Sequence, residues 1–123
     1  MGGHQTYLVA WDGDDPIGHA HIAWTRTALG VPEIQDVFVR ADRRRQGIGA
    51  AVMVAAERAV GAAGHARVSL SYGIANNAAR SFYAKLGYRD AGVEPRRVQG
   101  TIMLRTGPLE VDDTLIYVVK DLV

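Results

Sequence analysis

Arg43, Arg44, Arg45 and Gln46 run directly into Gly47-Ile48-Gly49, and an alanine- and valine-rich segment follows to Val60. Glycines at a helix start free backbone N–H groups which, with the helix dipole, make a site for an anion. Arginines just before it can add charge-assisted hydrogen bonds to a phosphate. These residue types therefore point to a phosphate-bearing ligand. Two common phosphate loops do not fit. A dinucleotide fingerprint needs a third glycine where Val52 stands, directly after the first strand of its unit, and a P-loop needs Gly-Lys followed by Ser or Thr.

The elements that must position this loop can be read from the pattern. Gln5 to Trp11 is rich in β-formers and stops at Asp12-Gly13-Asp14-Asp15-Pro16, a turn signal. Ile17 to Arg26 reads as the second arm of a hairpin, and Glu33 to Arg40 as a third strand of a meander. From Gly47 the period becomes helical, with Ile48, Val52, Ala55 and Ala59 on one stripe and Glu57 and Arg58 off it. Gly64 is placed for a left-handed cap, and Ala66 to Tyr72 follows as a fourth strand. A strand, helix and strand in that order predict a right-handed crossover between parallel neighbours. Asn76 is placed to cap a second helix through Lys85, with Gly87 just past its end. Val98 to Arg105 and Leu115 to Asp121 read as closing strands, with turns at Thr106-Gly107-Pro108 and Asp112-Asp113, and Arg96-Arg97 as a solvated loop. The expected order is β-β-β-α-β-α-β-β.

Composition narrows the function classes. The 123 residues make one expected domain, 1–123, with 48% hydrophobic and 22% charged residues, ordinary for a globular protein. A net charge of +1 gives no general case for nucleic acid, and Arg43–Arg45 lack stacking aromatics beside them. The longest apolar run, Ala50 to Ala56, is too short to span a bilayer, and no basic region leads into an apolar stretch. The expected compartment is the cytoplasm, with no nucleic acid or membrane as partner. The absence of cysteine excludes a disulfide scaffold, a thiolate metal site and a covalent intermediate on a protein thiol.

Two motifs at matched spacing carry a resemblance. Arg44, Gly47 and Gly49 stand at the positions of an R/Q-x-x-G-x-G/A signature. Downstream, Asn76, Ala79, Phe82, Tyr83, Gly87 and Tyr88 fit N-x-x-A-x-x-F-Y-x-x-x-G-F/Y. Together they resemble the GNAT-type N-acetyltransferases, over roughly Ile17 to Val123. The resemblance implies an α/β (α+β) fold with a mixed, mostly antiparallel sheet, V-shaped and splayed at the acyl-coenzyme A site. It implies acetyl-coenzyme A as acyl donor. The pyrophosphate would rest on backbone N–H groups of Arg45, Gln46, Gly47, Ile48, Gly49 and Ala50, and the pantetheine arm would pair with Val37, Phe38 and Val39. Asn76 would reach the pantetheine amides, with Arg44, Ala79 and Tyr83 completing the donor site. Ala41 stands where the family often has proline. The family's N-terminal strand and two helices are expected to be missing, which leaves a bare sheet face and open edges and predicts a homodimer.

The implied reaction is acetyl transfer to a primary amine, of a small molecule, by direct attack in a ternary complex; the alternative is an acyl-coenzyme A-binding module with little catalysis. A lysine-like amine is neutral in about one molecule in 2500 at pH 7, about 4.6 kcal/mol uphill, so a base helps. Glu33, which resembles the catalytic glutamate of the histone-acetylating branch in its position, is the first candidate, against a solvated carboxylate at a strand end. Asp36 is the next, on the opposite face by strict alternation unless a bulge intervenes. Tyr83 is the candidate acid for the leaving thiolate, and the N–H of Val37 or Phe38 the oxyanion donor. No metal is needed: His19 and His21 share a strand face but lack an obvious third ligand, and line the acceptor cleft or are ordinary strand residues. Tyr7, Trp11 and Trp24 read as core or rim aromatics.

Overall fold

The computed structural model describes residues 5–122, the side chain of Ile102 excepted. The elements are β1 (Gln5–Asp12), β2 (Asp15–Ala23), β3 (Glu33–Val39), α1 (Ile48–Ala62), β4 (Arg67–Gly73), α2 (Asn77–Lys85), β5 (Arg89–Asp90), β6 (Arg96–Leu104) and β7 (Gly107–Asp121), with a 3-10 turn at Ala41–Arg43. The sheet is mixed and mostly antiparallel, with two α-helices, as the resemblance implied. The chain divides into two compact units. One takes the described part of Met1–Leu70 and Val119–Val123, the other Ser71–Val118.

In the first unit β1, β2 and β3 form the expected antiparallel meander. Gly13, at φ 60°, supplies the left-handed residue of a two-residue turn paired across Asp12 and Asp15. The turn is tighter than expected, and Asp15 and Pro16 already belong to β2. β3 runs parallel to β4, in register at Glu33↔Ser69, and Ser69 donates both its N–H (2.9 Å) and its hydroxyl (3.2 Å) to the Pro32 carbonyl. α1 packs against β1, β2 and β3. Its buried side chains are Val52, Met53, Ala56 and Val60, and Ile22, Val68 and Leu70 are fully buried strand residues.

That stripe corrects the expected one. Ala55 is exposed, because the larger Met53 takes the sheet-facing position and rotates the buried face by about one residue. Glu57 is not on a free face either. Its side chain is only 11% exposed and pairs with Lys120 at 2.9 Å, a partner from the far end of the chain that no helical periodicity can show. Gly64, at φ 95°, is the expected left-handed residue after the helix. Tyr7 and Trp11 are exposed rather than core residues.

In the second unit α2 follows β4 in the chain and precedes β5, β6 and β7, and β7 is neighboured by β4, β5 and β6. β6 and β7 are longer than expected. The turn is confined to Arg105-Thr106, and Asp112-Asp113 lie within β7. Arg97, diagonally across the ladder, clamps Asp112 there at 2.8 and 2.9 Å. Arg96-Arg97 are therefore strand residues, not a loop. The short β5 gave no pattern to detect.

Met53 is fully buried, so Met53→Ala is expected to lower stability by about 2–5 kcal/mol, read as a shift of the urea midpoint.

Candidate functional site

The loop from Arg40 to Ile48 has the geometry of an anion cradle. Arg44 is extended (φ −70°, ψ 157°), Arg45 is left-handed (φ 66°), and so is Gly47 (φ 79°), the N-cap of α1. Left-handed residues in such a run turn successive N–H groups toward one concavity. No side chain caps α1, and its first internal bond there is Ala51 N–H to the Gly47 carbonyl at 3.0 Å. The N–H groups of Ile48, Gly49 and Ala50 thus precede the helical ladder and are available to an anion. The expected backbone donors, Arg45 to Ala50, all lie in this turn.

The arginines divide the work. Arg43 pairs with Asp12 at 2.6 Å, and Arg44 Nε donates to the Val39 carbonyl at 3.1 Å. Arg40, which sequence reasoning passed over, reaches Asp15 at 2.8 Å and Asp42 at 2.6 Å. Its hydrogen bond holds the Asp42 carboxyl below the ordinary carboxylate range. The Arg40 N–H also donates to the Ile17 carbonyl at 2.8 Å. Arg40 and Arg43 therefore moor the loop to the β1–β2 hairpin. Gly18 lets the same region close up, since a Cβ there would lie 3.0 Å from the Phe38 carbonyl oxygen and 3.3 Å from Ile48 Cγ2.

β3 carries the bulge. His21 pairs with Gln35 and His19 with Phe38, so Asp36 and Val37 together oppose Ala20. Asp36 is left-handed at φ 53°. This overturns strict alternation. Asp36 turns onto the face that carries His21, and its carboxylate lies 3.1 Å from His21 Nδ1. Glu33 is buried, with Gln35 Nε2 donating to it at 3.3 Å, and Gln35 Oε1 lies 2.7 Å from His21 Nε2. The solvated-carboxylate reading of Glu33 does not hold. Phe38 is exposed and stacked on His19 at 5.2 Å, while Val37 and Val39 are half-buried. A groove of about 310 Å³ lies on this side, lined by Tyr7, Val9, His19, His21 and Asp36 among others. The Gln35 contact was invisible to sequence, because only the pairing of His21 with Gln35 brings the two together. Among the described residues no cluster could hold a metal ion.

The second motif lies on α2. Asn76 Oδ1 accepts the Ala79 N–H at 3.0 Å, so two motif positions are a helix cap and its partner. Tyr83 is half-buried among Tyr72 (6.2 Å), Phe82 (5.1 Å) and Tyr88 (5.9 Å). Burial pushes its phenol pKa up, so it keeps its proton and remains a donor through neutral pH. The helix closes with Tyr88 N–H donating to the Tyr83 carbonyl at 3.0 Å and Gly87 at φ 97°.

With this geometry the chain belongs to the acetyltransferase (GNAT) family, whose model matches residues 2–88. It is thereby placed among the acyltransferases. A search of curated proteins finds no match. Solved structures share the fold. An IAA acetyltransferase from Bacillus cereus is 19% identical with a TM-score of 0.74, covering 95% of this chain and 77% of its own. An aminoglycoside 6'-N-acetyltransferase complexed with coenzyme A is 17% identical with a TM-score of 0.69, covering 97% and 73%. An N-acetyltransferase from Thermoplasma acidophilum, in complex with coenzyme A, is 16% identical with a TM-score of 0.66, covering 95% and 60%.

Gly47→Ala forces a Cβ into the left-handed region and is expected to lower stability by about 1 kcal/mol. Arg45→Gly relieves the same strain, so urea denaturation should show no comparable loss.

Proposed function

We propose that the protein is an N-acetyltransferase that moves an acetyl group from acetyl-coenzyme A to the primary amine of a small molecule. The observation that carries this reading is the uncapped, left-handed entry to α1 at Arg45 and Gly47, in a chain of the acetyltransferase family. The coenzyme A bound in two proteins of similar fold supports the choice of donor. In this reading the N–H groups from Arg45 to Ala50 hold the pyrophosphate, with Arg44 beside them. Val37, Phe38 and Val39 pair with the pantetheine arm, and Asn76 and Ala79 serve its amides from α2.

The chemistry follows from proton accounting. The amine arrives as an ammonium ion and must lose a proton before it attacks the thioester carbonyl. Glu33 takes that proton. An ordinary glutamate is about six units more acidic than the ammonium ion, so this first transfer is steeply uphill and Glu33 passes the proton on to water. The nitrogen's second proton, made acidic as the C–N bond forms, then goes to Glu33. The N–H of Val37 or Phe38, at the bulge, stabilises the oxyanion. The thiolate of coenzyme A then leaves and takes a proton from Tyr83. A phenol near 10 and a thiol near 8.5 differ by about 2 kcal/mol, and burial widens the gap, so this proton moves late. The protein has no cysteine, and direct attack in a ternary complex needs no acyl-enzyme. The groove lined by Tyr7, His19, His21 and Asp36 suits a cationic acceptor, because the Asp36 side chain is 72% exposed at its edge.

Tyr83→Phe is expected to lower kcat by about 100-fold or more while the Kd for acetyl-coenzyme A, measured by titration calorimetry, stays within about threefold. Release of free thiol with a panel of amines reads turnover, and an unchanged rate would remove Tyr83 as the acid. A chain that binds acetyl-coenzyme A yet releases thiol with no amine would instead be an acyl-coenzyme A-binding module. A homodimer is also proposed, supported by the exposed Met103, Leu104 and Leu109 on β6 and β7. Light scattering at micromolar concentration should give twice the chain mass.

A further inference from the structure

Glu33, Gln35, His21 and Asp36 form one unbroken line of side-chain contacts across β2 and β3, at 3.3, 2.7 and 3.1 Å. Exposure rises along it. Glu33 is 8% exposed, the His21 side chain 12% and the Asp36 side chain 72%. Its last link, from His21 to Asp36, exists only because of the bulge, since alternation alone would send Asp36 to the other face. The left-handed region is disfavoured for a residue with a Cβ, and strain of that kind persists where the surroundings over-determine it. The surroundings here are the His21 ring, packed on Tyr7 at 5.2 Å and held by Asp36 at one nitrogen and Gln35 at the other.

We propose that His21 and Asp36 are positioning residues for acyl transfer, acting through the Gln35 carboxamide to orient the Glu33 carboxylate. The proposal rests on Glu33 as the base. A carboxamide has one accepting and one donating end. His21 faces an acceptor at each nitrogen, Asp36 Oδ2 at Nδ1 and Gln35 Oε1 at Nε2, so it donates at both only as the imidazolium. With the Gln35 oxygen taken by that Nε2–H, its NH2 must face Glu33 and donate to one carboxylate oxygen. The flipped amide would set oxygen against carboxylate and NH2 against ring N–H, like against like at both ends. His21 thus fixes the amide, Asp36 fixes His21, and the second Glu33 oxygen is left to meet the amine. An unheld carboxylate in a buried site would sample orientations that cannot take the proton, and misplacement of a reacting group is expensive in rate.

The test uses the full chain, with tyramine as the amine probe and free thiol as the readout. His21→Ala and Gln35→Ala should each lower kcat about 10-fold, with the Kd for acetyl-coenzyme A within about twofold. In a Glu33→Gln background, His21→Ala should change kcat less than about twofold, because residues acting through one another are not additive. Asp36→Gly, which keeps the left-handed backbone and so the fold, should lose kcat in the same way. Independently of turnover, the Gln35 side-chain NH2 should exchange slowly with solvent by NMR in the parent protein and rapidly in His21→Ala. An additive loss in the Glu33→Gln background, or unchanged Gln35 exchange in His21→Ala, overturns the proposal. If Glu33→Gln itself leaves kcat unchanged, the base assignment falls first, and the positioning role with it.

Discussion

A helix that begins without a side-chain cap must leave its first N–H groups to another partner, and α1 begins in this way at Gly47. The requirement reaches back through the loop. Arg45 and Gly47 must both enter the left-handed region, which glycine accepts freely and arginine only under constraint. The constraint comes from both sides. Val52, Met53, Ala56 and Val60 anchor the helix in the core, and the Arg40 and Arg43 contacts hold the loop at its other end. The cradle is therefore a product of packing, and neither the glycines nor the arginines suffice alone.

The same economy shows on β3. One inserted residue gives the strand two different edges of chemistry, with Glu33 and Gln35 before the bulge and Phe38 after it. Gly18 on the neighbouring strand has no side chain to hold β3 and the first turn of α1 apart.

Much of this was legible in the chain. The meander, the parallel return, the Asn76 cap and the left-handed glycines at 64 and 87 all follow from local chemistry, because turns and caps are decided within a few residues. What was not legible depended on partners far away in sequence. Glu57 lay off the apolar stripe with no partner in view until Lys120 met it, and Asp112-Asp113 looked like a turn until Arg97 met Asp112 inside the strand. Asp36 was left with two faces, by strict alternation or by a bulge, and only the strand register chose between them. Arg40 was overlooked for the same reason, since its role appears only once Asp15 is beside it.

The mooring of the loop has a consequence for how the site behaves in solution. Arg40 with Asp15 and Asp42, and Arg43 with Asp12, are partly exposed ion pairs, individually weak and screened by salt. They hold the very segment that would cradle a polyphosphate. Ionic strength thus acts on the cradle twice, by competing with the anion and by slackening the tethers that shape its receptor. The affinity of such a site for a polyanion is steeper in salt than its count of direct contacts implies.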